Sequence, residues 1–263
     1  MWEILLPILG VLIGILAALT GVGGGSIIVP ILSLLYAFDP TNAVGTSLAT
    51  IVFTAIAATV TYWRQNRIFI RTGVIVSFAT APGAVIGAYM TEMVSAPVLG
   101  IAFSVFLIIV ATKILTEIVP RRRGKRNINI EIQSSENDLF IYKRGRLYLA
   151  FALGFVSGVI SGLLGVGGGI ILVPLLIFIL ELDIHVAVAT TMFTMIFTAL
   201  AGVAQHFVLG NVNFEFALML GVGSILGTQI GAYIYKRASN TLLRGVFAVI
   251  LLAISVEMMV QFL

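Results

Sequence analysis

The stretch Gly21-Val22-Gly23-Gly24-Gly25-Ser26-Ile27-Ile28-Val29-Pro30 returns 144 residues later as Gly165-Val166-Gly167-Gly168-Gly169-Ile170-Ile171-Leu172-Val173-Pro174, identical at eight of ten positions. The same offset aligns Asp39 with Asp183, Ala43 with Ala187, Thr46 with Thr190, Thr50 with Thr194, and Phe53-Thr54 with Phe197-Thr198. It then aligns Gly83 with Gly227, and Ile86-Gly87-Ala88-Tyr89 with Ile230-Gly231-Ala232-Tyr233. A gapless offset over that length marks a duplicated unit.

Both copies lie in apolar sequence. Of the 263 residues 60% are hydrophobic and 10% charged, and the mean hydropathy is +1.14. That balance belongs to an integral membrane protein in contact with a lipid bilayer. Without cysteine there are no disulfides, no thiolate chemistry and no cysteine metal site. A net charge of +4 and a pI near 9.6 raise the possibility of nucleic acid. Eight of the fifteen Lys and Arg residues sit in one loop, however, and the rest flank apolar segments. This is the pattern of cytoplasmic membrane loops, so no nucleic-acid partner is expected. Residues 1–19 lack a Lys or Arg n-region, and their apolar run recurs at 149–164 before the second glycine motif. They read as a retained helix rather than a signal peptide.

Each half divides into five apolar segments: 2–20, 26–38, 43–63, 72–91 and 97–118, then 147–164, 170–181, 185–208, 214–235 and 240–262. Most approach the roughly 20 residues of a spanning helix, but 26–38 and 170–181, directly behind the glycines, fall short. Asp39, followed by Pro40, and Asp183 read as N-caps opening the third segments; a proton or ion role is the alternative. The predicted fold is an all-α polytopic membrane protein with repeats at 1–118 and 147–263, each containing a glycine-broken helix. Residues 119–146 form a basic cytoplasmic linker between them.

Basic residues set the orientation. Arg64, Arg67 and Arg71 lie between the third and fourth segments, whereas the equivalent turn, 209–213, has none. Conversely, 91–97 lacks Lys and Arg, while its counterpart carries Lys236, Arg237 and, just beyond, Arg244. With five segments per half the repeats enter the membrane in opposite senses, all fifteen basic residues fall on, or within a short reach of, the cytoplasmic side, and both termini lie outside. Four spans per half would instead make the repeats parallel and strand Lys236, Arg237 and Arg244 outside.

Three glycines in an apolar helix mark a break, because each costs about 1 kcal/mol relative to alanine. Irregular backbone survives in lipid only where protein buries it or it lines a cavity, so the breaks point inward. The amides of Gly23, Gly24, Gly25 and Ser26, and of Gly167, Gly168 and Gly169, open short helices whose positive dipole ends form an anion site without a charged side chain. Two such ends near the midplane are expected of a secondary transporter. A nucleotide loop fits poorly: the third glycine of GxGxxG is Ser26 in one copy and Ile170 in the other, and no Walker lysine follows. Close helix packing through small residues is the structural alternative.

Thr46, Ser47, Thr50 and Thr54 correspond to Thr190, Thr191, Thr194 and Thr198, and the spacing of four puts Thr46, Thr50 and Thr54 on one helix face. These hydroxyls either line the anion site or bond carbonyls and neighbouring helices. Gln229 and His206 lack repeat partners of the same type, which suggests substrate orientation by Gln229 and proton handling by His206; a satisfied interfacial histidine is the competing account. No metal-ligand spacing, cofactor motif, GxSxG, HExxH or paired carboxylate recommends an enzyme.

The duplicated glycine motif, the Pro-ended apolar stretch behind it and Gly-x-x-Ile-Gly-Ala-Tyr resemble the sulfite exporter TauE/SafE family of membrane permeases over essentially the whole chain. The resemblance implies a plasma-membrane transporter of sulfite or small organosulfur anions such as sulfonates. It places the family's glycine motif on Gly21 to Gly25 and Gly165 to Gly169. An anion channel and a membrane scaffold or sensor are the alternatives. The coupling ion, the direction of transport and a homodimeric state are left open.

Overall fold

The computed structural model describes residues 5–95, 144–180, 182 and 184–234, with scattered positions between 97 and 112 and between 249 and 260. The expected segments 97–118 and 240–262, the stretch 119–143, Asp183 and the basic cluster at 236–244 lie largely or wholly outside the described residues.

Helix α1 (Leu5–Thr20) ends at the first glycine run, and α2 (Gly25–Leu35) starts within it. Then follow α3 (Pro40–Arg64) and α4 (Ile70–Thr91). The second half repeats the order with α5 (Arg144–Leu164), α6 (Gly169–Phe178), α7 (Ile184–Val208) and α8 (Phe214–Ile234). Helix α5 therefore begins inside the expected linker. The two short helices have 11 and 10 residues, roughly 16 Å at 1.5 Å per residue, about half a bilayer core. Pro40 opens α3 behind Asp39, whose backbone oxygen accepts from Ala43 N–H. The Asp39 side chain makes no capping bond, so the fixed φ of proline and the backbone carry this start.

Among the described residues, four helices are long and apolar enough to cross a membrane: Pro40–Arg64, Ile70–Thr91, His185–Val208 and Phe214–Tyr233. Their outward faces carry exposed apolar side chains, including Phe78 and Tyr89 on α4 and Val222 and Leu226 on α8. Such a belt suits hydrocarbon rather than water. The protein is an all-α membrane protein.

The halves exchange partners instead of packing each on itself. Helix α1 lies along α8, and α5 along α4. Both pairs run parallel: Pro7, Val11 and Ile15 meet Gly223, Gly227 and Gly231, while Phe155 and Val159 meet Gly83 and Gly87. The Val11–Gly227 and Ile15–Gly231 contacts recur at the 144-residue offset as Phe155–Gly83 and Val159–Gly87, the reciprocity of a two-fold arrangement. Side chains on Gly223 and Gly227 would collide with the Pro7 and Val11 carbonyls, so these glycines permit direct backbone contact. The equivalent helices α3 and α7 cross antiparallel at the centre: Gly45 lies against His206 and Asn211, and Leu48 against Gly202.

Candidate functional site

The two glycine breaks meet. Gly21, Gly23 and Gly24 have φ of 75°, 85° and 89°; Gly165, Gly167 and Gly168 have 71°, 73° and 79°. Left-handed residues in series turn each chain from one helix into the next, which side chains disfavour by roughly 1–2 kcal/mol each. Gly24 and Gly168 are the N-caps of α2 and α6. The breaks cross so closely that the Gly165 carbonyl occupies the space a side chain on Gly25 would need, and the Gly21 carbonyl does the same at Gly169.

All of residues 21–29 and 164–169 are buried. Gly21 N–H donates to Ala17 O and Gly165 N–H to Ser161 O, completing α1 and α5. Ile27 and Ile28 donate to Gly24 O, and Ile171 and Leu172 to Gly168 O, starting α2 and α6. Between these bonds, the amides of Gly23, Gly24, Gly25 and Ser26 have no acceptor among the described residues, and neither do those of Gly167, Gly168, Gly169 and Ile170. Buried donors at helix starts carry the positive end of the dipole. Ser26 Oγ, fully buried at the first of these ends, also has no partner among the described residues.

Two side chains fill the crossing. The Met195 methyl packs where side chains on Gly23 and Gly167 would stand, and its sulfur faces Gly169. Ile51 packs against Gly25 and Gly167. Ile51 and Met195 are equivalent positions on α3 and α7, so the repeat supplies both halves of an apolar plug.

The hydroxyl face is buried and mostly committed to structure. Thr46 Oγ1 accepts from Asn213 N–H, and Thr190 Oγ1 from Phe69 N–H, both at 3.0 Å, tying the start of each central helix to the other half. Thr54 donates to Ser224 at 3.0 Å, and Thr198 shares a 2.6 Å hydrogen bond with Thr80. Thr50 and Thr194 bond the carbonyls one turn back, Thr46 O and Thr190 O, at 3.0 Å. Ser47 alone reaches a break, donating to Gly165 O at 2.8 Å. Its equivalent Thr191, fully buried, has no partner among the described residues.

Gln229 sits apart. It is exposed on α8, accepts from Thr61 at 2.9 Å and donates to Ala57 O at 3.3 Å. Those partners lie six to ten residues past Ile51 along α3, roughly 9–15 Å from the crossing. His206 is fully buried, with Nε2 donating to Gly162 O at 3.0 Å. Met195, Ile51 and the pairing of Thr80 with Thr198 are absent from the residues expected from sequence. The 144-residue offset, applied to apolar positions as well, is the signal that finds the first two.

With this geometry in view, comparison with known proteins decides the family. The sulfite exporter TauE/SafE family model matches residues 6–258. The chain belongs to that family. It is 28% identical over 267 residues, 98% of this chain and 97% of the relative, to the probable membrane transporter protein YunE of Bacillus subtilis. It is 30% identical over 227 residues to YdhB of the same organism, covering 84% of this chain and 85% of the relative. A third probable membrane transporter, YjnA, is 26% identical over 251 residues, 93% of this chain and 95% of that one. No solved structure matches this TauE/SafE chain. Membrane transport is thus its class of function.

Proposed function

We propose that this TauE/SafE protein is a secondary transporter that carries sulfite or a small organosulfur anion across the plasma membrane by alternating access. One observation carries the reading: two buried helix starts cross with eight amides that find no acceptor among the described residues, beside a Ser26 hydroxyl that finds no partner among them either. Anions are held at such ends by N–H donors and the helix dipole, and the family's name supplies the oxyanion class. The hydroxyls of Ser26 and Thr191 are available to an incoming oxygen, whereas Thr46, Thr50, Thr190 and Thr194 hold the central helices in place.

The antiparallel crossing of α3 and α7 favours inverted repeats, since a two-fold axis relating antiparallel spans lies in the membrane plane. The linker at 119–146 then lies in the cytoplasm and both termini outside. Labelling of a cysteine placed at Asn211 from the external side supports this topology; cytoplasmic protection there refutes it. Ile51 and Met195 close the crossing in the present arrangement, so the solute enters only when the halves move against each other. That closure favours a carrier over an open anion channel. The chain moves its solute without chemical conversion.

The test is flux in liposomes of sulfite, a short sulfonate, sulfate and chloride, with and without a pH gradient. Saturable sulfite or sulfonate flux that follows the gradient supports a proton-linked carrier. Currents far above carrier turnover support a channel, and flux of none of these anions overturns the substrate assignment.

A further inference from the structure

Tyr62 and His206 are equivalent under the 144-residue offset, although one is phenolic and the other an imidazole. Both are buried, and their rings reach equivalent acceptors. Tyr62 Oη donates to Ala18 O at 2.6 Å, and His206 Nε2 to Gly162 O at 3.0 Å. Each acceptor lies three residues before a glycine break. Gly21 and Gly165 N–H complete the preceding helices by donating to Ala17 O and Ser161 O. Val22 N–H, next in order, turns to Thr20 Oγ1 instead of Ala18 O. Ala18 and Gly162 therefore carry the first carbonyls that the breaks orphan, and the two rings satisfy them.

We infer that Tyr62 and His206 are a repeat-related pair of positioning residues, each capping the helix that leads into one glycine break, and that the imidazole makes the second break alone responsive to protons. A carbonyl only accepts, so Nε2 carries the hydrogen and Nδ1 is the site of any further proton. Nδ1 is buried and has no partner among the described residues. To the ring α5 presents the Gly162 carbonyl, and Gly45 of α3 lies against the His206 Cβ. Asn211 donates its backbone N–H to His206 O and its side-chain amide to Glu92, at the end of α4. Asp39 before α3 and Glu215 in the first turn of α8 are further carboxylates at this end of the bundle. A proton on Nδ1 must therefore draw on the Asn211–Glu92 pair or shift the ring, and either change acts on the cap of α5. A phenol that donates to a carbonyl has no ring nitrogen to take up a proton, so Tyr62 has no such response.

The flux arm of the test rests on the transporter reading; the melting arm does not. Full-length wild type, His206→Tyr, His206→Phe, Tyr62→His and Tyr62→Phe are compared in two ways between about pH 5.5 and 8. Sulfite is the flux probe in liposomes, and thermal melting is followed on the same purified proteins. His206→Tyr should keep flux within about twofold and lose the wild-type pH inflection in both measurements. Tyr62→His should acquire a second inflection. Each Phe variant should lose about tenfold in flux, the scale of one buried hydrogen bond. A His206→Tyr protein that retains the wild-type melting profile, or that fails to fold, overturns the pairing, as do Phe variants that match wild type. If wild type moves no sulfite, the transport reading fails by itself, and melting still decides the pair.

Discussion

The two breaks have nearly the same backbone and differently satisfied side chains. In the first, Thr20 Oγ1 accepts from Val22 N–H at 3.3 Å; Leu164 stands at that position in the second. In the second, Ser157 Oγ donates to Gly168 O at 3.1 Å; its equivalent is Ile13, which packs on Gly24. Ser47 holds the second break by Gly165 O, while Thr191 has no partner among the described residues. Ser26 leaves a hydroxyl at the first helix start where Ile170 offers only a hydrocarbon. Glycine torsions and carbonyl contacts thus carry the shared shape, and the polar side chains are free to differ between copies. The lesson is that the site is symmetric in architecture and asymmetric in recognition.

The symmetric part is broken most severely at Gly25 and Gly169. Valine at either position collides with a carbonyl of the other half, and each variant should abolish sulfite flux and cost about 3 kcal/mol or more of stability. Flux assays and melting on both variants test the reciprocity, which fails if one substitution is tolerated. The plug comes next. Met195→Ile conserves volume and should cost under about 1.5 kcal/mol, yet it pairs two stiff β-branched residues and should lower maximal flux severalfold; Ile51→Met should raise it. Equal flux in both variants would remove any gating role for the plug.

Recognition gives smaller effects. Ser26→Ala should raise the KM for sulfite about fivefold, near 1 kcal/mol, with unchanged melting, and Thr191→Val should do so less because Thr191 belongs to the body of α7 rather than to a helix start. An equal shift from both would make recognition symmetric too. Smallest is Gly210→Ala. Gly210 has φ of 79° but open space around it, so the variant should lose about 1 kcal/mol of stability by strain alone and keep normal flux. It separates the cost of torsion from the cost of contact.

Much of this was legible in the sequence. Glycines declare a break by their own torsional freedom, and the start of each short helix was placed within one residue, at 26 and 170 against Gly25 and Gly169. The hydroxyl spacing gave a true helix face. Its use was not legible, because the partners of Thr46 and Thr190 come from the opposite repeat at Asn213 and Phe69. Polarity also drew attention to Gln229, which the structure puts on an exposed face, and away from Met195, which looks like any core residue until the crossing is seen. The counterpart of His206 is hidden in the sequence because tyrosine and histidine differ as residue types. As ring donors to Ala18 O and Gly162 O they are the same device.

The exchange of partners between halves has a consequence for biosynthesis. The small-residue face of α1 is completed by α8, whose contact residues Gly223, Gly227 and Gly231 emerge from the ribosome long after Pro7 to Ile15. Roughly 200 residues of translation at about 5–20 residues per second is on the order of 10–40 s. During that interval α1 resides in the bilayer with its glycine contacts unmade, and α4 waits for α5 over a shorter gap. Truncated nascent chains should therefore be recognised by membrane quality control until the last third of the protein is inserted.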